Sequence, residues 1–216
     1  MGMVETIKGE VSTDSLGKTL MHEHVFILTA EVEQNWPTFL AALAAREQPQ
    51  ATLLALQALF RQEAGAKLFT VMTFDASTGL SQRVHSSHPE EYPVSGVKPL
   101  SRGLWSRTVI DERETFVANS IEAIAEVFPD HELIRSLGCE SVVNLPVVFA
   151  DAVIGTVNCL DARGYYTPER VAKVEGLAPF AAMALIIASV DAITDRFGRV
   201  QRARLQPAPA AKDARP

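Results

Sequence analysis

His22 and His24, in the run LGKTLMHEHVF from Leu16 to Phe26, are the residues of this chain best spaced for metal chemistry. In an extended segment, side chains two positions apart face the same side, so both imidazoles would reach one ion. Apolar Leu20, Val25, Phe26, Ile27 and Leu28 around the pair suit a buried strand. A catalytic zinc, however, usually takes three protein ligands and a water. The other histidines, His85, His88 and His131, belong to no recurring strand-and-helix unit that would bring them to the pair. His22 and His24 are therefore the candidate metal ligands, and they read first as the remnant of a site.

The other reactive side chains read as packing or pocket groups. Cys139 follows Gly138 at an expected helix carboxyl end, where the dipole disfavours a thiolate, and Cys159 alternates with Asn158 along an expected strand. His85, Ser86 and His88 fall where a strand meets a loop, without an acid to orient a catalytic pair. Asn144 and Asn158 interrupt apolar strands, so each either faces a pocket or ties its strand to a loop. Binding groups concentrate on loops above a rigid sheet. That places a ligand site under the irregular middle of the chain, lined by some of Phe74, His85, Trp105, Asn119, His131 and Asn158, with no catalytic residue assigned.

The elements that would position these groups follow from periodicity. Leucines between Thr38 and Glu63 recur at helical spacing, and Pro49 divides them into two helices. Lys67 to Asp75 is apolar on both faces, as in a strand inside a sheet, and pairs through a turn with Ser81 to Ser86. His88 to Pro99 reads as a long loop, followed by a short helix at Arg102 to Val109 and a strand at Thr115 to Ala118. Ile121 to Phe128 is helical, and Asp130 is expected to cap the next helix, which Gly138 ends. Ser141 to Val148 and Val153 to Leu160 flank a four-residue hairpin connection, Phe149 to Ala152. Thr167 and Pro168 then open a long helix that Pro179 should kink or break.

At 216 residues, 47% hydrophobic and with a net charge of −6, the chain can fill a core and has no broad electrostatic reason to bind nucleic acid. No apolar stretch reaches the roughly 18 uncharged residues of a membrane span, and two cysteines make no disulfide framework. A reduced, cytoplasmic setting is the expectation.

Val4 to Pro37, with its His-x-His pair, resembles the amino-terminal segment of the phosphotriesterase-like metal-dependent hydrolases, whose first barrel strand ends in such a pair. A complete barrel of that kind needs roughly 250 residues and collects its site from several strands. Residues 1–37 are accordingly read as a hydrolase-like segment joined to something else. From residue 38 to 190 the order of elements, with Gly-Cys-Glu-Ser-x-x-Asn-x-Pro-Val from Gly138 and Ile-Gly-Thr-Val-Asn from Ile154, resembles a GAF domain. The resemblance implies an α+β fold, an α/β/α sandwich around a mostly antiparallel sheet of about six strands. The first and last helices would lie on one face and the variable middle on the other. Residues 191–216 are expected to hold the helix end and a disordered tail. GAF domains bind cyclic nucleotides, bilins, haem or other small molecules, and many dimerise. The implied function is a non-catalytic small-molecule-sensing or interaction module that forms a homodimer, with ligand and cofactor unidentified. The alternatives are a truncated metal-dependent hydrolase and a GAF-type thiol oxidoreductase.

Overall fold

The computed structural model describes residues 3–6, 9–12, 30–94, 97–100 and 102–190. His22, His24 and the expected tail lie outside the described residues. The chain divides into two compact units, Met1–Gln34 and Asn35–Pro216. In the first, β1 (Met3–Thr6) and β2 (Gly9–Ser12) pair antiparallel, Met3 opposite Ser12 and Thr6 opposite Gly9.

The second unit is built on a six-stranded, wholly antiparallel sheet. Its strands are β3 (Leu68–Asp75), β4 (Leu80–Ser86), β5 (Val97–Pro99), β6 (Phe116–Ala118), β7 (Ser141–Phe149) and β8 (Ala152–Asp161). Their order across the sheet is β5-β4-β3-β8-β7-β6. The long connection expected after His88 thus contributes an edge strand, where Pro99 costs no ladder bond. Strands β3, β8 and β7 form the centre, and their apolar residues on both faces are what a doubly covered strand requires.

Helices cover one face. Helix α1 (Ala30–Leu43) begins upstream of the expected Thr38, and α2 (Gln50–Glu63) turns Leu53, Leu56, Leu59 and Phe60 onto Phe69, Val71, Val143, Leu145 and Val157. The corner between them is closed by Gln48. Its side-chain amide donates to the carbonyl oxygen of Ala42 at 2.6 Å, while its amide oxygen accepts the Thr52 hydroxyl at 2.7 Å. The long closing helix breaks at Leu177 into α6 (Pro168–Gly176) and α7 (Ala178–Val190), bent by 45°. Pro179 cannot donate to the carbonyl of Glu175, which accounts for the break. Phe180 beyond it meets Phe39 edge to face at 5.2 Å. No single helix among the described residues is long and apolar enough to cross a membrane.

The opposite face carries the short elements: α3 (Leu104–Ser106) running into a π-helical turn at Arg107–Asp111, α4 (Ile121–Ala125) and α5 (His131–Ser136). They pack Val109, Ile121, Ile124 and Ile134 against Leu68, Val142 and Leu160.

Three local expectations need correction. The β7–β8 hairpin closes through two residues, not four: Ala150 and Asp151 both take positive φ, 48° and 62°, a primed turn that matches the twist of the strands. Asp130 occupies the N-cap position of α5 but makes no side-chain cap bond, because its carboxylate accepts the Tyr92 hydroxyl. Thr167 precedes α6 in extended backbone without a side-chain cap bond either, so Pro168 and the acidic Glu169 in the first turn are the remaining start signals.

Candidate functional site

Strand alternation sets the floor of a cavity of about 290 Å³ beneath the short elements. Leu68, Thr70, Met72 and Phe74 of β3 point into it, as do Asn144 of β7 and Thr156 and Asn158 of β8. Trp105 from α3, Tyr92 from the β4–β5 connection and Phe128 with Asp130 ahead of α5 complete the walls. Trp105 stands edge to face on Phe74 at 6.1 Å.

Across the floor runs a polar row. Asn144 lies directly opposite Asn158 and Asn158 opposite Thr70, so their side chains stack laterally over three strands. The Trp105 indole donates to Asn144 Oδ1 at 3.0 Å, Asn144 Nδ2 to Asn158 Oδ1 at 2.7 Å, and Asn158 Nδ2 to Thr70 Oγ1 at 3.1 Å. An indole N–H can only donate, so it fixes the oxygen of Asn144 toward itself and thereby the orientation of both amides. Asn144 and Asn158 are 3% and 8% exposed, and their mutual bonding offsets what unpaired burial would cost.

A second row, one step along, is Arg83, Met72 and Thr156. The Arg83 guanidinium lies over the Tyr92 ring at 5.0 Å and donates from Nη1 to the Pro93 carbonyl oxygen at 3.3 Å. Tyr92 in turn donates its hydroxyl to Asp130 Oδ2 at 2.8 Å. Burial, with the Asp130 carboxylate beside it, pushes the Tyr92 phenol well above its ordinary range, which keeps it a donor. Burial lowers the Arg83 pKa, opposed by Tyr92 and Asp130, and a guanidinium remains a cation.

Of the six residues expected in the pocket, Phe74, Trp105 and Asn158 come together there. His85 faces the helices. The ladder skips Val84, so that Met72 pairs with Arg83 and Val71 with His85, and this bulge turns His85 onto the opposite face from Arg83. There it packs on Phe69 and its Nε2 meets Gln57 Oε1 at 2.7 Å, where burial and then Arg61 lower its pKa. Asn119 is used by the fold, its amide holding both the N–H and the carbonyl of Tyr166. His131 Nδ1 lies 3.2 Å from the Phe128 carbonyl oxygen. Residues that sequence reasoning left out of the site are Arg83, Tyr92, Asp130 and Thr156; Asn144, for which a place facing a pocket was one of two expected roles, lines it as well. For Arg83 and Thr156 the signal was alternation with Ser81 and Asn158 along their strands.

Cys139 and Cys159 are buried on opposite sides of the sheet, and burial followed by Asp161 pushes both thiols up. Among the described residues no group of three His, Cys, Asp or Glu side chains is placed to hold a metal ion. The cavity offers amides, hydroxyls, one guanidinium, one carboxylate and aromatic faces.

A GAF-domain family model matches residues 45–186. The chain belongs to the GAF-domain family. Similar solved structures include the GAF domain of a phosphoenolpyruvate-protein phosphotransferase from Coxiella burnetii, at TM-score 0.57 and 13% identity, covering 76% of this chain and 97% of that one. The GAF domain/HD domain protein from Geobacter sulfurreducens gives TM-score 0.54 and 16% identity over 66% of this chain and 95% of its own. At such identities the likeness concerns the GAF fold alone. A phosphotriesterase-family model matches residues 2–85 and so overlaps the start of the GAF domain. Two proteins described as "Phosphotriesterase homology protein", from two strains of Mycobacterium tuberculosis, are 54% identical over 37 residues, 17% of this chain. The chain spans only 11% of the length of those relatives.

Proposed function

We propose that the GAF domain is a non-catalytic sensory module whose cavity takes a small molecule between the sheet and the short helices. The observation that carries this reading is the oriented row Trp105–Asn144–Asn158–Thr70, which sets buried amides among the apolar Leu68, Met72, Phe74, Val142 and Leu160 of the cavity. Ligand sites combine an apolar cleft with a few convergent polar groups. In a Trp36→Phe background Trp105 is the single indole. A compound library read by Trp105 emission and by melting temperature is expected to yield ligands that change both, since binding to the folded state raises stability. Loss of both effects in Asn144→Ala would place the ligand on the row. A library without a binder, together with native mass spectrometry that finds only bare protein, would overturn the reading.

The module is proposed to act as a cytoplasmic homodimer through α2 and the closing helices α6 and α7, where Leu54 of α2 and Val190 of α7 are 57% and 54% exposed. Light scattering that gives a strict monomer at high micromolar concentration would count against it. Metal-dependent hydrolysis is the second reading, carried by the phosphotriesterase-family match over residues 2–85, which contains His22 and His24. Ester or lactone turnover abolished by His22→Ala would decide for it.

A further inference from the structure

We infer that the cavity ligand is a small organic monocarboxylate with an apolar or aromatic body, its carboxylate held by Arg83 and its body lying over Met72 against Phe74 and Trp105. This deepens the sensing reading above and rests on it.

Among the described residues, two buried side-chain polar atoms have no hydrogen-bond partner, Arg83 Nε and Thr156 Oγ1. Both residues line this cavity, and Thr156 is fully buried. They are also related by the sheet: each stands directly beside Met72, one on β4 and one on β8. Adjacent strands lie about 4.8 Å apart, so the two residues flank a strip of floor roughly 10 Å wide. Buried polar groups in proteins are nearly always paired, and an unpaired pair of this kind on one cavity wall marks a place where a ligand can supply the partners.

The chemistry of that partner follows from the arginine. Its Nη1 edge is engaged by the Pro93 carbonyl and its plane rests on Tyr92, so the guanidinium is held by two neighbours. The edge carrying Nε is the one a planar two-oxygen anion would take as a fork. Tyr92, anchored by Asp130, is a positioning residue for that fork. Arg83 and Asp130 are the charged side chains of the lining, one of each sign, and Asp130 already accepts the phenol. The lining is therefore neutral before a ligand enters, so a monocarboxylate adds one net negative charge facing Arg83, whereas a dianionic phosphate adds two beside the Asp130 carboxylate. Size points the same way, because about 290 Å³ sits at the bottom of the roughly 300–1,000 Å³ range of small-molecule sites.

The test uses the full chain carrying Trp36→Phe, with phenylacetate, phenylacetamide and phenyl phosphate as probes read by Trp105 emission and calorimetry. Phenylacetate is expected to bind saturably and at least tenfold more tightly than phenylacetamide or phenyl phosphate. Arg83→Gln should abolish that preference, and Arg83→Lys should weaken phenylacetate severalfold, since an ammonium keeps the charge and loses the fork. If Arg83→Gln does not fold, the comparison of the neutral probe with the two anionic ones on the parent protein still decides. Equal binding of acid and amide, tighter binding of the phosphate, or no saturable binding of phenylacetate, benzoate and hexanoate would overturn the inference. A neutral library compound that binds through Asn144 while these carboxylates fail would sink the ligand class and leave the sensing module standing; no binder at all would sink both.

Discussion

At the scale of single residues, the polar row makes a strong claim on stability. Asn158 is its middle member, so replacing it by leucine strands Asn144 Nδ2 and Thr70 Oγ1 in a buried setting. Asn158→Leu is expected to lower unfolding free energy by about 1–3 kcal/mol in a denaturant titration, although leucine is the more hydrophobic residue. A gain in stability would show that the row is not bonded as described. His85 gives a pH dependence of known sign. Burial lowers its folded pKa below the ordinary 6.5, so between the two values the unfolded chain binds more protons and stability falls as pH falls. The His85 contribution is complete above about pH 6.5. Melting curves from pH 7.5 to 5 should therefore show an acid loss that is smaller in His85→Gln. Much of this could not be read from the sequence. That Asn144 and Asn158 needed partners was legible from their apolar neighbours, but the partner of Asn144 is an indole 39 residues away. The place of Asp130 was equally hidden, because its competing partner, Tyr92, lies in a loop without periodicity.

At the scale of elements, alternation and proline were the reliable signals. The apolar faces of Lys67 to Asp75 predicted a central strand and the structure has one, and Pro179 predicted the break between α6 and α7. Signals failed where one residue more or less changed the geometry. The β7–β8 turn is such a place, since neither Ala150 nor Asp151 is the glycine that a turn with positive φ usually employs. The strands around it are long and well paired, and they impose the turn on alanine. Ala150→Gly is expected to raise stability by up to about 1 kcal/mol, because the left-handed conformation is unfavourable for a residue with a Cβ. An unchanged or lower unfolding midpoint would show that alanine is unstrained there. Gly155 on β8 needs glycine for space and not for its backbone angle: a Cβ there would come within 2.1 Å of the Met72 carbonyl oxygen, so the β3–β8 approach depends on it.

For the molecule as a whole, the division into units separates what the GAF domain needs from what precedes it. Phe39 is 1% exposed and packs on Phe180, which makes the end of α1 part of the GAF core. Removing residues 1–29 is expected to leave the melting temperature of the GAF domain nearly unchanged. Removing residues 1–48 takes away Phe39 and Gln48 together and should cost at least the roughly 3–5 kcal/mol of a deleted core phenylalanine. Equal stability of the two truncations would show that α1 is dispensable. The bulge in β4 has a consequence of another kind. A strand ordinarily cannot lose a residue, because every side chain beyond the loss changes sides. Here Val84 is surplus to the ladder, and excising it would leave Arg83 opposite Met72 and His85 opposite Val71 as they are now. The chain thus carries, next to the group that faces the cavity, a spare residue whose loss keeps the reading frame of the sheet.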